Sequence, residues 1–287
     1  MKILITGAQG MLGRTLVKHL TPQYEVAAVG RQQCDITQAR AVQSHFSQIR
    51  PHVVLHCAAM TDVDGCEANA EAAYRANAIG SANVAAACHR VGARLVAFST
   101  DYVFDGWASR PYHEQDPTNP QCVYGQTKLA GELAIRAHCP DHLILRIAWL
   151  YGTGGPSFVH AICKLAAQAG EPLKVVADQR GNPTSCDAVA EKVSELLLGF
   201  DVGTWHLTCQ GEATRYQWAR AIIAACGFKR EVVPCTSAEF PRPARRPANS
   251  CLENRELRLR GGSPLPDWQT CLERFLASDA ELCRRPG

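Results

Sequence analysis

Short apolar runs recur along the first half of the chain, each closed by glycine or small polar residues and followed by a longer amphipathic stretch. Residues 2–6 form the first run, and Gly7-Ala8-Gln9-Gly10-Met11-Leu12-Gly13 follows directly. Met11, Leu12, Thr15, Leu16 and Leu20 then fall at helical spacing. Residues 26–29 predict a second strand ending in Gly30-Arg31, and a helix is expected from about Thr37 to Ile49, with Thr37 as its cap. Residues 53–56 predict a third strand running into Cys57-Ala58-Ala59-Met60-Thr61. One long alanine-rich helix is expected over 68–91, a fourth strand over 95–98, a helix over 123–138 and a fifth strand over 143–147. Strands alternating with helices in this way predict an α/β fold with a doubly wound parallel sheet.

After Trp149-Leu150-Tyr151-Gly152 the pattern changes. Glycine and proline become frequent, the elements shorten, and a proline-rich segment runs over 234–247. Helices are expected near 158–169, 187–198 and 216–226, with strands at 173–176 and 205–207 and a loop over 178–184. The reading is a cofactor domain over 1–150 and a smaller α/β substrate-binding domain over 151–287, parts of 185–208 packing back onto the first.

Gly7, Gly10 and Gly13 stand in GxxGxxG spacing. Strand, glycine-rich turn and helix in that order suit a dinucleotide pyrophosphate. Glycine lets the backbone approach the phosphates, and the helix start, here Met11, offers unpaired N–H groups and a positive dipole end. At the end of the second strand a carboxylate would bind the ribose 2′-hydroxyl of NAD, whereas an arginine holds the 2′-phosphate of NADP. Arg31 stands there and points to NADPH, with NADH left open as an accepted donor. Ala58 and Ala59, small residues at the end of a strand, leave a flat ligand room against the backbone.

Tyr124 and Lys128 are spaced i, i+4, which places a phenol and an ammonium on one helix face. A nearby lysine favours the phenolate, making the tyrosine a usable proton donor or acceptor nearer neutral pH. Thr100 follows the apolar run 95–98, where its hydroxyl can face a site. YxxxK alone occurs by chance in many helices. Its weight comes from convergence: Gly10, Ala58, Thr100 and Trp149 all fall at carboxyl ends of strands, where such sheets bind ligands.

Composition narrows the classes. The 287 residues are 46% hydrophobic with a net charge of +3, enough to bury a sizeable core. No basic run interleaves with aromatics, which argues against nucleic acid, and no apolar stretch approaches a membrane span. The opening Met1–Gly7 reads as a first strand rather than a signal peptide, so a cytoplasmic location is expected. The fourteen cysteines are scattered, with no CxxC pair and no zinc spacing; reduced core residues and no metal are expected.

Together the GxxGxxG turn, Ser99-Thr100-Asp101-Tyr102-Val103-Phe104-Asp105-Gly106 and Tyr124-Gly125-Gln126-Thr127-Lys128 resemble the extended short-chain dehydrogenase/reductase family. Residues 146–152, Asp178-Gln179 with Pro183-Thr184, 246–250 and 265–268 make the chain look most like its dTDP-4-dehydrorhamnose reductase branch. The resemblance implies a Rossmann-like fold and NADPH-dependent reduction of the 4-keto group of dTDP-4-dehydro-L-rhamnose to dTDP-L-rhamnose. It implies Thr100, Tyr124 and Lys128 as the catalytic triad, and Tyr102, Val103, Phe104 and Trp149 against the substrate. Gly7, Gly10, Met11 and Gly13 would surround the pyrophosphate, Asp35 and Ile36 the adenine, and Ala58, Ala59 and Thr61 the nicotinamide half, which Tyr124 and Lys128 also touch. Some members bind a metal at a dimer interface through a glutamate just after the third glycine. Here Arg14-Thr15 takes that place, so neither the metal nor that mode of pairing is expected, though a homodimer stays open. Another nucleotide-deoxysugar reductase or epimerase, or a non-catalytic NADP-binding regulatory subunit, remains an alternative.

Overall fold

The computed structural model describes residues 1–279 other than 169, 198 and 200, together with residue 282. The first half runs β1 (Lys2–Thr6), α1 (Met11–Leu20), β2 (Glu25–Val29), α2 (Ala39–Ile49), β3 (Val53–His56), α3 (Val63–Ala68), α4 (Ala70–Tyr74), α5 (Gly80–Val91), β4 (Arg94–Thr100), α6 (Val123–His138) and β5 (His142–Ile147). The second half continues with β6 (Leu150–Tyr151), α7 (Phe158–Ala166), β7 (Leu173–Val176), β8 (Arg180–Gly181), β9 (Thr184–Ser185), α8 (Cys186–Leu196) and β10 (Gly203–His206). It closes with β11 (Ala213–Thr214), α9 (Arg215–Ala225), β12 (Val232–Cys235), α10 (Arg255–Leu259) and α11 (Trp268–Ser278).

Six parallel strands form the main sheet in the order β10-β5-β4-β3-β1-β2. The sheet is doubly wound, and its strands show why. Ile3, Ile5, Val53, Leu55, Val96, Phe98, Leu143 and Leu145 point into one apolar cluster, shared with Leu12 and Leu16 of α1 and Val189 of α8. The intervening Leu4, Val54, Leu95, Ala97 and Ile144 point into the other, with Val42 and Phe46 of α2 and Val84 and Cys88 of α5. Alternation at period two feeds two cores, which is why these strands read as continuous apolar runs. Each fully buried Leu or Ile there contributes about 1.5–3 kcal/mol.

Because β2 and β3 lie on opposite sides of β1, a crevice opens at the carboxyl ends of β1 and β3. The sixth strand, β10, comes from the second half and pairs with β5, while α8 packs on α1. The remaining strands make three two-stranded pieces, β11-β8, β12-β7 and β6-β9.

Three sequence expectations need correction. The single helix over 68–91 is broken at Asn69, whose side chain accepts from Ala72 N and starts α4, and it passes through a π-helical turn at Arg75–Ile79. Thr37 does not cap α2; Gln38 holds that place without a side-chain bond, and Asp35 instead accepts from Thr37 N at 3.0 Å. Cys226 is disulfide-bonded, so the reduced state does not extend to it, whereas twelve other cysteines are free thiols. The expected helix ends at 169 and 198 lie outside the described residues.

Candidate active site

The crevice holds a cavity of about 850 Å³. Of the expected cofactor residues, Gly7, Gly10, Arg31, Asp35, Ile36, Ala58 and Ala59 line it. Its floor is backbone. Gly7 has φ +66, and a Cβ there would stand 2.5 Å from Ala58 N; a Cβ on Gly13 would stand 2.4 Å from Gly7 O. No side chain caps α1, whose N-cap is Gly10, so the first N–H groups of the helix face the crevice unclaimed by a side chain. Such a floor fits a pyrophosphate. Met11 lies outside the lining, beside Gly155, and so does Thr61, which is exposed. Arg31 is exposed and 3.8 Å from Asp35, whose carboxyl is held below its ordinary value chiefly by the Thr37 N–H, with Arg31 and Arg75 adding to this. Gln9 and Arg75 also line the cavity and were not foreseen. Arg75 reaches it from the π-helical turn, a feature that helical spacing does not signal.

At the end of β4, Thr100 is buried near the Tyr124 phenol, and its hydroxyl donates to Asp101 Oδ1 at 2.9 Å and accepts from Tyr102 N at 3.2 Å. Tyr124 approaches so closely because Gly125 follows it: a Cβ there would lie 2.2 Å from Tyr102 O. Tyr102 meets Tyr124 edge to face, with ring centroids 5.4 Å apart. Asn77, from the π-helical turn, accepts from Met60 N at 2.8 Å and donates to Met60 O and Thr127 Oγ1, each at 3.0 Å. It thereby ties the cavity wall to the helix that carries Tyr124. Below, Glu132 is buried and gripped at both oxygens by Arg146, at 2.9 and 2.7 Å, and by Ser99 at 2.5 Å. Such a two-pronged grip is what sustains a buried ion pair, although Arg146 Nη1 is left buried without a partner among the described residues.

The electrostatics depart from the simplest expectation. Burial pushes the Tyr124 phenol well up; Thr100 alone works against this, while Asp101 and Tyr102 add to it. Lys128 does not draw the phenol down, because its ammonium is turned to Phe98 O, to which it donates at 2.7 Å. Burial lowers Lys128 itself to about 8, so it stays largely charged at neutral pH. Burial also raises Asp101 to about 6. Tyr124 is therefore a neutral phenol at neutral pH, the form that gives a proton away.

The side chains of Val103 and Phe104 lie in the core and not at the cleft, which leaves only their backbone for a ligand. Phe104 stacks on Tyr112 at 4.4 Å and meets His206 edge-on, contacts supplied by distant segments. Trp149 sits where strand and cleft meet, with φ +46. Its Nε1 donates to Ser250 Oγ at 2.9 Å, its ring stacks on Trp218 at 5.6 Å, and a Cβ on Gly181 would collide with it. A bulky residue in left-handed conformation stores strain that the surroundings must hold. Arg215 lies 3.6 Å over the same ring. Nothing in the sequence pattern had marked Arg215, and Ser250 stood out only as the end of the stretch 246–250 that carries the resemblance.

The RmlD substrate binding domain family matches residues 1–281. Among curated relatives, a dTDP-4-dehydrorhamnose reductase of Mycobacterium tuberculosis is 42% identical over 97% of this chain and 93% of its own. Among solved structures, a dTDP-4-dehydrorhamnose reductase from Clostridium acetobutylicum superposes with a TM-score of 0.95 at 44% identity, covering 98% of this chain and 100% of the other. Another, from Bacillus anthracis in complex with NADP, gives 0.94 at 37% identity, covering 96% and 99%. No helix among the described residues is long and apolar enough to cross a membrane.

Proposed function

Since the chain belongs to the RmlD substrate-binding domain family, we propose that it is an NADPH-dependent oxidoreductase that reduces the 4-keto group of dTDP-4-dehydro-L-rhamnose to dTDP-L-rhamnose. The observation that carries the chemistry is Tyr124: a buried, protonated phenol close enough to Thr100 for that hydroxyl to act on it. In this reading the backbone of Gly7 and Gly10 and the start of α1 hold the pyrophosphate, Arg31 and Arg75 the 2′-phosphate, and Ala58 and Ala59 the nicotinamide half. Bound NADPH supplies the hydride for the carbonyl carbon.

The chain's own residues handle the oxygen. Thr100 hydrogen-bonds the carbonyl oxygen and fixes its place beside Tyr124. Tyr124 transfers its phenolic proton to that oxygen as alkoxide character develops; an alkoxide is a far stronger base than a phenolate, so the high phenol pKa is no obstacle. Lys128, charged at neutral pH, stabilises the phenolate left behind once a ligand draws it from Phe98 O. Trp149 and Tyr102 flank the sugar. In this division of labour residues 1–150 hold the cofactor and 151–287 mainly the substrate. The enzyme works in the cytoplasm, and the reading admits a homodimer.

The test follows reduced nicotinamide consumption with dTDP-4-keto-6-deoxy-hexose, with and without the 3,5-epimerase that makes the L-configured substrate. Turnover only with the epimerase, giving dTDP-L-rhamnose, is expected. Turnover without it identifies a different deoxysugar reductase, and NADPH binding without any turnover overturns the catalytic reading.

A further inference from the structure

We propose that Arg215 is the clamp for the diphosphate of the substrate. The inference rests on a nucleotide-sugar substrate and adds the residue that holds its charged centre.

Arg215 is the first residue of α9 and half-buried in the cleft. Its guanidinium lies 3.6 Å over the Trp149 ring, 5.0 Å from the Phe158 ring and 5.5 Å from that of Trp218. Both ends of this arrangement are fixed. Trp149 is anchored by Ser250, and the start of α9 is locked by a capping box in which Thr214 and Gln217 bond each other's backbone N–H. Yet among the described residues no oxygen accepts a hydrogen bond from this guanidinium and no carboxylate pairs with it, in contrast to Arg110 on Asp116, Arg146 on Glu132 and Arg246 on Asp64. Half-exposed on its aromatic shelf and bound to no protein acceptor, the guanidinium leaves its N–H donors open to a ligand in the cleft.

The surroundings say what that ligand is. Arg246 is close enough for the two cations to disfavour each other, and both act on Tyr102. Arg246 already has its carboxylate in Asp64 at 2.9 Å, so Arg215 is the cation there that is left to meet an anion. Asp101 is the carboxylate that acts on Arg215, but it forms no ion pair with it, bonds Thr100 instead, and burial raises it to about 6. A planar guanidinium fork held rigid on an aromatic shelf suits two phosphate oxygens better than one sugar hydroxyl. Tyr102 reaches Tyr124 on its other side, so an anion at Arg215 sets the sugar carbonyl toward Thr100 and Tyr124.

Calorimetric titration of NADP-loaded protein with dTDP and with thymidine tests this, using wild type, Arg215→Gln and Arg215→Lys. Arg215→Gln should lose at least about tenfold in dTDP affinity, with thymidine affinity unchanged; Arg215→Lys should fall between, keeping the charge without the fork. Unchanged NADP affinity in the variants reports an intact fold. Equal dTDP affinity in Arg215→Gln and wild type overturns the clamp, as does equal loss for dTDP and thymidine. The two readings separate: wild type that binds dTDP through Arg215 yet reduces no dTDP-4-keto sugar keeps the clamp and loses the reductase. Active enzyme with unchanged dTDP affinity in Arg215→Gln does the reverse.

Discussion

The cofactor crevice and the substrate cleft meet at the carboxyl ends of the same strands but are built of different material. The crevice is largely backbone: Gly7 turned to φ +66, the uncapped start of α1, and small residues at the end of β3. The cleft is made of side chains held by distant partners. Trp149 is pinned by Ser250, Tyr124 is fitted under Tyr102 through Gly125, and Arg215 is laid on an aromatic stack. A backbone site tolerates no added atom, whereas a side-chain site tolerates changes of shape but not of charge or proton inventory.

The largest break of that contrast is expected at Gly13. A Cβ there would stand 2.4 Å from Gly7 O and 2.8 Å from Ala8 Cα, both backbone. Gly13→Ala should cost about 1–3 kcal/mol in stability and raise the NADPH dissociation constant more than about tenfold. Denaturant unfolding and a fluorescence titration would check both. An unchanged titration would show that the turn does not hold the cofactor.

The next effect is on acid stability. Burial lowers His56, beside the crevice, and His206, under the cleft, to about 3. Both are neutral in the folded chain while their unfolded counterparts gain protons below about pH 6.5. Stability from these two is present above that pH and is lost as pH falls. Asp101 acts in the opposite sense, since its folded carboxyl, raised to about 6, holds a proton that the unfolded one has released. Near pH 5 these groups leave a net one proton, a loss of about 1.4 kcal/mol per pH unit; Asp101→Asn removes the opposing proton and steepens it to about 2.8. Urea unfolding at several pH values measures the slope, and an equal slope in both proteins would show that Asp101 is not raised.

The smallest effect concerns Arg31, which is exposed and shares its edge of the cavity with Arg75. Arg31→Ala should raise the KM for NADPH by roughly fivefold, about 1 kcal/mol, and leave that for NADH unchanged. An equal change for both donors would mean that Arg31 does not read the 2′-phosphate.

What the sequence made legible follows the same division. The glycine turn, the strand run into Ala58-Ala59 and the helix over 123–138 are local: spacing and composition within a few residues dictate them. The break at Asn69 is a local cap on Ala72 N, but the Asn77 of the π-helical turn finds Met60 and Thr127 only across the fold, so the alanine-rich stretch read as one helix. Phe104 looked like a cleft residue because its burial is decided by Tyr112 and His206. Arg215 was invisible, because an arginine becomes informative only once its partners are known to be aromatic rings rather than a carboxylate. The relation between Tyr124 and Lys128 was seen in spacing but not in charge, since Lys128 turns to Phe98 O.

The most direct test of the central claim is Tyr124→Phe, assayed for steady-state turnover of the dTDP-4-keto sugar and for NADPH affinity. The account predicts that NADPH affinity is retained and kcat falls by about 10²–10⁴-fold, the contribution of a positioned general acid. Turnover near that of wild type would contradict it, because the proton would then reach the sugar oxygen from some other group.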